Sequence, residues 1–213
     1  VQPVDVIDRF KHAVRERALL ASPAPDALAD IVRDPSRRWE RRRRDADFLR
    51  LRVGRGPVDW HALTLPVDTN PVEPHDELLR GELAQLLRHY SVVHGMPVTL
   101  ELDRVGDVSI VGPRTHTLAI ARALFAQTVA FHAPDDVAIA LVFPPERSAD
   151  WAGLDVVGHV QDSDLYDGPV AVRRVAPTIP RLWALLAPWL KERSDAVAAE
   201  KRTGRRGAAE RMS

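Results

Sequence analysis

The chain has 213 residues, of which 45% are apolar and 28% charged, enough for a globular core under a polar surface. Thirty basic side chains balance thirty acidic ones, so overall charge selects no polyanionic partner. The absence of Cys excludes disulfides, thiolate metal sites and thiol nucleophiles.

Residues Val4 to Leu20 place Val4, Ile7, Phe10, Val14, Leu19 and Leu20 at helical spacing among charges, which predicts an amphipathic helix. Ser22-Pro-Ala-Pro25 breaks it, and Asp26 is expected to cap a second helix through Ile31 and Val32. Arg37-Arg-Trp-Glu-Arg-Arg-Arg-Arg44 follows as a dense basic stretch. Phe48 to Val53 alternates like a strand, which Gly54-Arg-Gly56 should end, and Trp60 to Leu65 reads as its partner. After the loop Asn70 to Pro74, residues His75 to Val93 form a helical pattern. Pro97 to Leu102 and Val108 to Val111 are short predicted strands, and Thr117 to Phe131 is the strongest helical pattern. Val137-Ala-Ile-Ala-Leu-Val-Phe143 has the continuous apolar character of a strand buried on both faces of a parallel sheet. Val170 to Val175 is a further strand, Ile179 to Ala199 a long helix, and the chain from Arg202 onward a tail without core-forming pattern.

No run approaches the roughly 20 apolar residues of a membrane span, and the N-terminus has no leader pattern. The sequence begins at Val1 rather than Met and is read as a piece of a longer protein.

Strand, glycine and helix N-terminus in Ser109 to Leu124 have the outline of a phosphate loop. The chemistry does not fill that outline. Counting from Gly112 as the first glycine, the positions of the second Gly, the Lys and the Ser/Thr hold Thr117, Leu118 and Ala119. Leu118 carries no charge for phosphate and Ala119 no oxygen for magnesium, while Pro113 removes a backbone donor. Arg114 and Thr115 are left as a weaker anion-holding pair. The following predicted strand ends in Pro144-Pro-Glu146, with no acidic residue at its tip. Gly112, Pro113, Arg114, Thr115 and Thr117 are therefore expected to form a degenerate loop, a strand-to-helix turn without a nucleotide.

Two blocks carry a family resemblance. Trp39 to Gly56 reads W-E-R-R-R-R-D-A-D-F-L-R-L-R-V-G-R-G, and Thr117 to Asp136 reads T-L-A-I-A-R-A-L-F-A-Q-T-V-A-F-H-A-P-D-D. Together they resemble the cytosolic region of EccC-type, FtsK/SpoIIIE-like motor ATPases of type VII secretion systems, over about residues 36 to 190. The resemblance implies a membrane-proximal domain with an ATPase-like fold that lacks the catalytic sequence of the motor domains after it. It implies a membrane-anchored, oligomeric parent at the cytoplasmic face of the plasma membrane. It also implies docking against other core subunits (the ubiquitin-like domain of EccD, EccB and EccE), with ATP and magnesium used downstream. Two departures stand out. Trp151 to His159 keeps one Trp and the His of an otherwise aromatic family segment. The chain also stops before a further sheet strand of that family, which leaves its own sheet open.

The Arg run has three readings: a solvated, partly ion-paired connector; a protein interface formed by Trp39, Arg41, Arg42, Arg43 and Arg44, with Trp151 a further contact; or a nucleic-acid patch. The last lacks an accompanying stacking set, and nucleic acid is not expected as a partner. His89 and His94, five apart, do not share a helix face as metal ligands would; His132 is expected to serve helix carbonyls and His159 to cap or pack. No serine lies in a nucleophile elbow.

The expected architecture is α/β: a P-loop NTPase-like (Rossmann-like) sheet flanked by helices after an N-terminal helical stalk. Residues 1–47 form the stalk or connector, 48–201 the degenerate ATPase-like domain and 202–213 the tail. The expected function is a scaffold that couples a secretion complex to its motor, with no catalytic residue, metal or cofactor in this piece. The alternatives are a nucleotide-binding or active ATPase domain and a DNA-translocase-like domain.

Overall fold

A computed structural model describes residues 3–60 and 77–203. The fold is mixed α/β. The chain divides into two compact units, Val1–Leu28 with Arg50–Gly106, and Ala29–Leu49 with Asp107–Ser213.

In the first unit, helix α1 (Pro3–Ala21) packs on a twisted two-stranded ribbon of β1 (Arg50–Asp59) and β2 (Val92–Glu101). The ribbon is antiparallel, with Leu51 opposite Leu100, and Leu51 is fully buried. Gly54 and Gly56 do not end the strand, contrary to expectation. Register shifts at Arg52/Gly54 and Gly56/Val58 absorb them, and a Cβ on Gly56 would lie 3.1 Å from Val98 Cγ2. The strand pairs with β2; the expected partner Trp60 to Leu65 lies, from residue 61 on, outside the described residues, as do the predicted loop 70–74 and helix start 75–76. Helix α3 (Glu77–Tyr90) stops before the β-branched pair Val92-Val93, which joins β2 instead. Lys11 Nζ donates to the Val92 carbonyl at 2.7 Å and sits over the rings of Trp60 and Tyr90. Asp26 does not cap: the Pro25–Ala27 turn begins at Ala24 with no side-chain cap, and α2 (Leu28–Arg33) follows directly.

The second unit holds α4 (Arg114–Phe131), β3 (Leu141–Val142), β4 (Gln161–Asp167), β5 (Val170–Arg173), β6 (Val175–Ala176) and α5 (Ile179–Thr203). β3 and β6 pair in parallel, β4 and β5 form an antiparallel hairpin, and α5 packs on β3 and β6. Helix α5 runs on through Arg202 and Thr203, where a tail was expected. Two further expectations are corrected here. Val108 to Val111 is not a strand; it is unpaired extended chain, with Val111 92% exposed. Val137 to Phe143 is not covered on both faces, since half-buried odd residues alternate with exposed even ones. Apolar composition signals a strand, but not how many layers cover it. The unit's buried side chains gather where α4 ends: Phe131, His132, His159, Gln127 and Val160 are all essentially inaccessible.

Candidate functional site

The two ends of α4 carry the residues singled out in the sequence, and they behave differently. At the start, Gly112 takes φ +152°, a conformation open to glycine, and Pro113 precedes the first helical residue without offering a capping oxygen. The loop is exposed and no strand backs it. Thr117 Oγ1 donates to the Arg114 carbonyl at 3.0 Å, so the hydroxyl is spent on the helix itself. Arg114 is ion-paired with Asp150. Arg122, two turns along the same helix, donates to the Asp150 carbonyl, its Nε at 2.7 Å. Thr115 remains exposed at the turn.

Asp150 lies in the 3₁₀ segment Pro145–Trp151, and Trp151 beside it packs its ring edge-on to Phe125 (5.8 Å) and parallel to Phe143 (6.3 Å). Trp151 also lines a groove of about 680 Å³ with Phe143, Leu154, Val170, Val172 and Arg173. The segment after β3 is thus fastened along α4 by one carboxylate, one carbonyl and one indole.

At the other end the Trp-Glu-Arg-Arg block closes over the helix. A helix leaves its last four carbonyls without partners. Here each is met. His132 donates its backbone N–H to Thr128 O at 3.1 Å; Trp39 donates Nε1–H to Val129 O at 3.1 Å and its backbone N–H to Ala130 O at 3.0 Å; Arg41 donates its backbone N–H to Phe131 O at 3.0 Å. The Arg41 guanidinium, 3% exposed, lies 3.9 Å from the Phe131 ring centre and pairs with Asp47 at 3.2 Å. A cation there also complements the negative end of the helix dipole. Arg42 and Arg43 both reach Asp136, at 3.2 and 3.5 Å, and Arg43 donates to the Asp136 carbonyl at 2.9 Å. Arg44 points to solvent. Trp39 and Leu49, at φ 59° and 52°, bracket this clamp in the left-handed region, which costs a non-glycine residue about 1 kcal/mol or more. The hydrogen bonds and packing between them hold that geometry.

His132 and His159 tie the clamp to the sheet. Thr128 O can only accept and Leu49 N–H can only donate. His132 Nδ1 (3.1 Å from Thr128 O) therefore carries the proton, and Nε2 (3.0 Å from Leu49 N) is bare. Phe48 meets the same ring edge-on at 5.2 Å. His159 Nε2 donates to the His132 carbonyl at 2.7 Å. Burial pushes the His132 imidazole below its ordinary pKa, and the Arg41 charge adds to this, against the opposing Thr128 bond. Burial likewise lowers His159, opposed by its bond to the His132 carbonyl. The hydrogen bonds of both rings thus go to backbone groups at and beside the end of α4.

The interface candidates therefore separate. Trp39 and Arg41 turn inward, Arg43 is half-buried, Arg42 and Arg44 face out, and Trp151 lies elsewhere along α4. Sequence reasoning did not bring Trp39–Arg43 together with Phe131–Asp136. The opposed charges of Arg42-Arg43 and Asp135-Asp136 are the one signal in the sequence that could have joined them.

Similarity to known proteins places the chain in a class. No family model matches the chain. It is 34% identical to an ESX secretion system protein EccC of Thermomonospora curvata over 185 residues, which is 86% of this chain and 14% of that protein. It is 33% identical to the ESX-3 secretion system protein EccC3 of Mycobacterium tuberculosis over 84% of this chain and 13% of that protein. The ESX-4 protein EccC4 of the same organism is 28% identical over 78% of the chain and 13% of its own length. The chain thus matches one segment of much longer ESX secretion system proteins. More particularly, it belongs to the EccC family, as the counterpart of a segment about a seventh of the length of these relatives.

Proposed function

We propose that this segment is a non-catalytic scaffold of the secretion motor, transmitting force and position between a membrane core complex and ATPase domains elsewhere in the same polypeptide. The observation that carries the reading is the start of α4. Its lysine and Ser/Thr positions are Leu118 and Ala119, its Thr117 hydroxyl is bonded to the helix, and its one cation, Arg114, is engaged by Asp150. Phosphoryl transfer depends on charge and metal held at the β- and γ-phosphates, and these groups supply neither. The opposite end of α4 is built for rigidity, with every terminal carbonyl bonded, as a coupling element requires.

On this reading the segment works at the cytoplasmic face of the membrane within an oligomeric parent. Arg42 and Arg44 are its outward cations, available to carboxylates of neighbouring subunits such as the ubiquitin-like domain of EccD, or of EccB and EccE. ATP and magnesium belong to the motor domains, and the P-loop-like ancestry of the fold is part of the same proposal.

Complementation tests it. A strain lacking the parent protein is supplied with a version from which this segment is deleted. The expected result is loss of export and of stable complex assembly, while ATP hydrolysis by the purified remainder persists. Normal export and assembly without the segment would refute the scaffold role.

A further inference from the structure

Helix α1 turns a charged stripe toward the ribbon rather than away from it. Asp8, Lys11, His12 and Arg15 stand at i, i+3, i+4 and i+7, so they share one helix face. With His94 and the start of β2 they line a cleft of about 330 Å³. Its two permanent cations are held in place by their surroundings. Lys11 Nζ, bonded to the Val92 carbonyl, rests 5.5 Å from the Trp60 ring centre and 4.9 Å from that of Tyr90. The Arg15 stem passes Gly95, where an added Cβ would lie 3.7 Å from Arg15 Cδ. Arg15 Nη2 is 2.9 Å from His12 Nδ1. A guanidinium can only donate, so Nδ1 accepts and the His12 proton sits on Nε2.

These cations lack what neutralises others in the same unit. Arg50 and Arg104 both pair with Glu101, at 2.8 and 3.1 Å. Among the described residues no carboxylate pairs with Lys11, and Arg15 has only Glu16 at 3.9 Å, beyond hydrogen-bond reach. Asp8 is the one acidic side chain lining the cleft, so Lys11 and Arg15 outweigh it. An ammonium carries three donors and a guanidinium five, and one of each is in use. The remaining N–H groups of a point charge, a planar fork and an imidazole therefore gather around one opening. A planar carboxylate would be satisfied by the fork alone. Donors on three separate residues suit a tetrahedral phosphoryl group, with three acceptor oxygens and a charge of about −1.5 to −2.

We infer that this cleft between α1 and β2 binds a phosphomonoester group through Lys11, Arg15 and the His12 Nε2–H, the group being that of a lipid headgroup or a free phosphate. Calorimetric titration of inorganic phosphate into the 213-residue chain at low salt tests it. Saturable binding is expected, weakened at least about tenfold by Arg15→Gln, which keeps the stem as far as Cδ. Asp8→Asn removes a repelling carboxylate and should tighten binding about threefold or more, a gain that misfolding cannot imitate. No saturable heat, or an affinity indifferent to both substitutions, would overturn the inference. Cosedimentation with phosphatidylcholine vesicles, with and without phosphatidic acid, separates the two sources, since the headgroup of phosphatidic acid is a phosphomonoester. Retention on phosphatidic acid that Arg15→Gln abolishes supports the site and assigns it a lipid headgroup. Phosphate binding without such retention supports the site and assigns it a free phosphate.

Discussion

Trp39 does two jobs with two nitrogens, since its backbone and indole N–H groups satisfy neighbouring carbonyls at the end of α4. Trp39→Phe keeps an aromatic ring but leaves the Val129 carbonyl short of its donor. We expect a loss of about 1–2 kcal/mol in urea unfolding, with the slope unchanged. His132 gives the residue scale its pH dependence. Its native pKa lies below the unfolded value of about 6.5, so between the two the unfolded chain binds the extra proton. Stability is accordingly complete above about pH 6.5 and falls as pH drops from there toward the native pKa; His159 adds to the same slope. Melting temperatures measured between pH 8 and pH 5 should decline steadily on the acid side, and a flat profile would contradict an imidazole held neutral by burial. None of this was readable from His132 as a lone histidine. Its expected service to helix carbonyls is what the structure shows, but its second bond, to Leu49, depends on a chain segment 83 residues away in sequence.

Helix α4 is the element around which the others are arranged, and its two ends separate what the sequence carried from what it did not. The helix predicted over Thr117 to Phe131 is present and begins a turn earlier, at Arg114, because a long run of helix-forming residues is a local signal. The strand before it is absent, since a four-residue run of mostly β-branched residues such as Val108–Val111 becomes a strand only if another strand is present to pair with it. Gly54 and Gly56 misled for the opposite reason: glycine stops a strand unless a bulge and a close cross-strand neighbour such as Val98 make use of it. The reading of a degenerate loop rests on side chains missing from the sequence itself, and the structure shows an exposed turn there with Arg114 paired to Asp150. The clamp was legible only as two separate blocks. Asp136, which both Arg42 and Arg43 reach, links them through a junction only partly shielded from water. Asp136→Asn should cost about 0.5–1 kcal/mol, and most of that difference should vanish in 1 M salt, as paired denaturation curves would show.

At the scale of the whole molecule, one end of α4 is held by the clamp and the other, on the proposed reading, is the relic of a phosphate site. Arg114 and Arg122 both turn to Asp150, so the segment after β3 occupies the cations that an anion would seek. The EccC relatives are about seven times longer than the matched segment, and the proposed function places the energy source for export elsewhere in such a chain. The most direct measurement is a calorimetric titration of Mg-ATP into this segment, extended past residue 213 but ending before any motor domain. The account predicts no heat of binding at millimolar ATP, in the native sequence and in Arg114→Ala alike. Saturable binding that disappears on Arg114→Ala would contradict it and make the segment a nucleotide sensor.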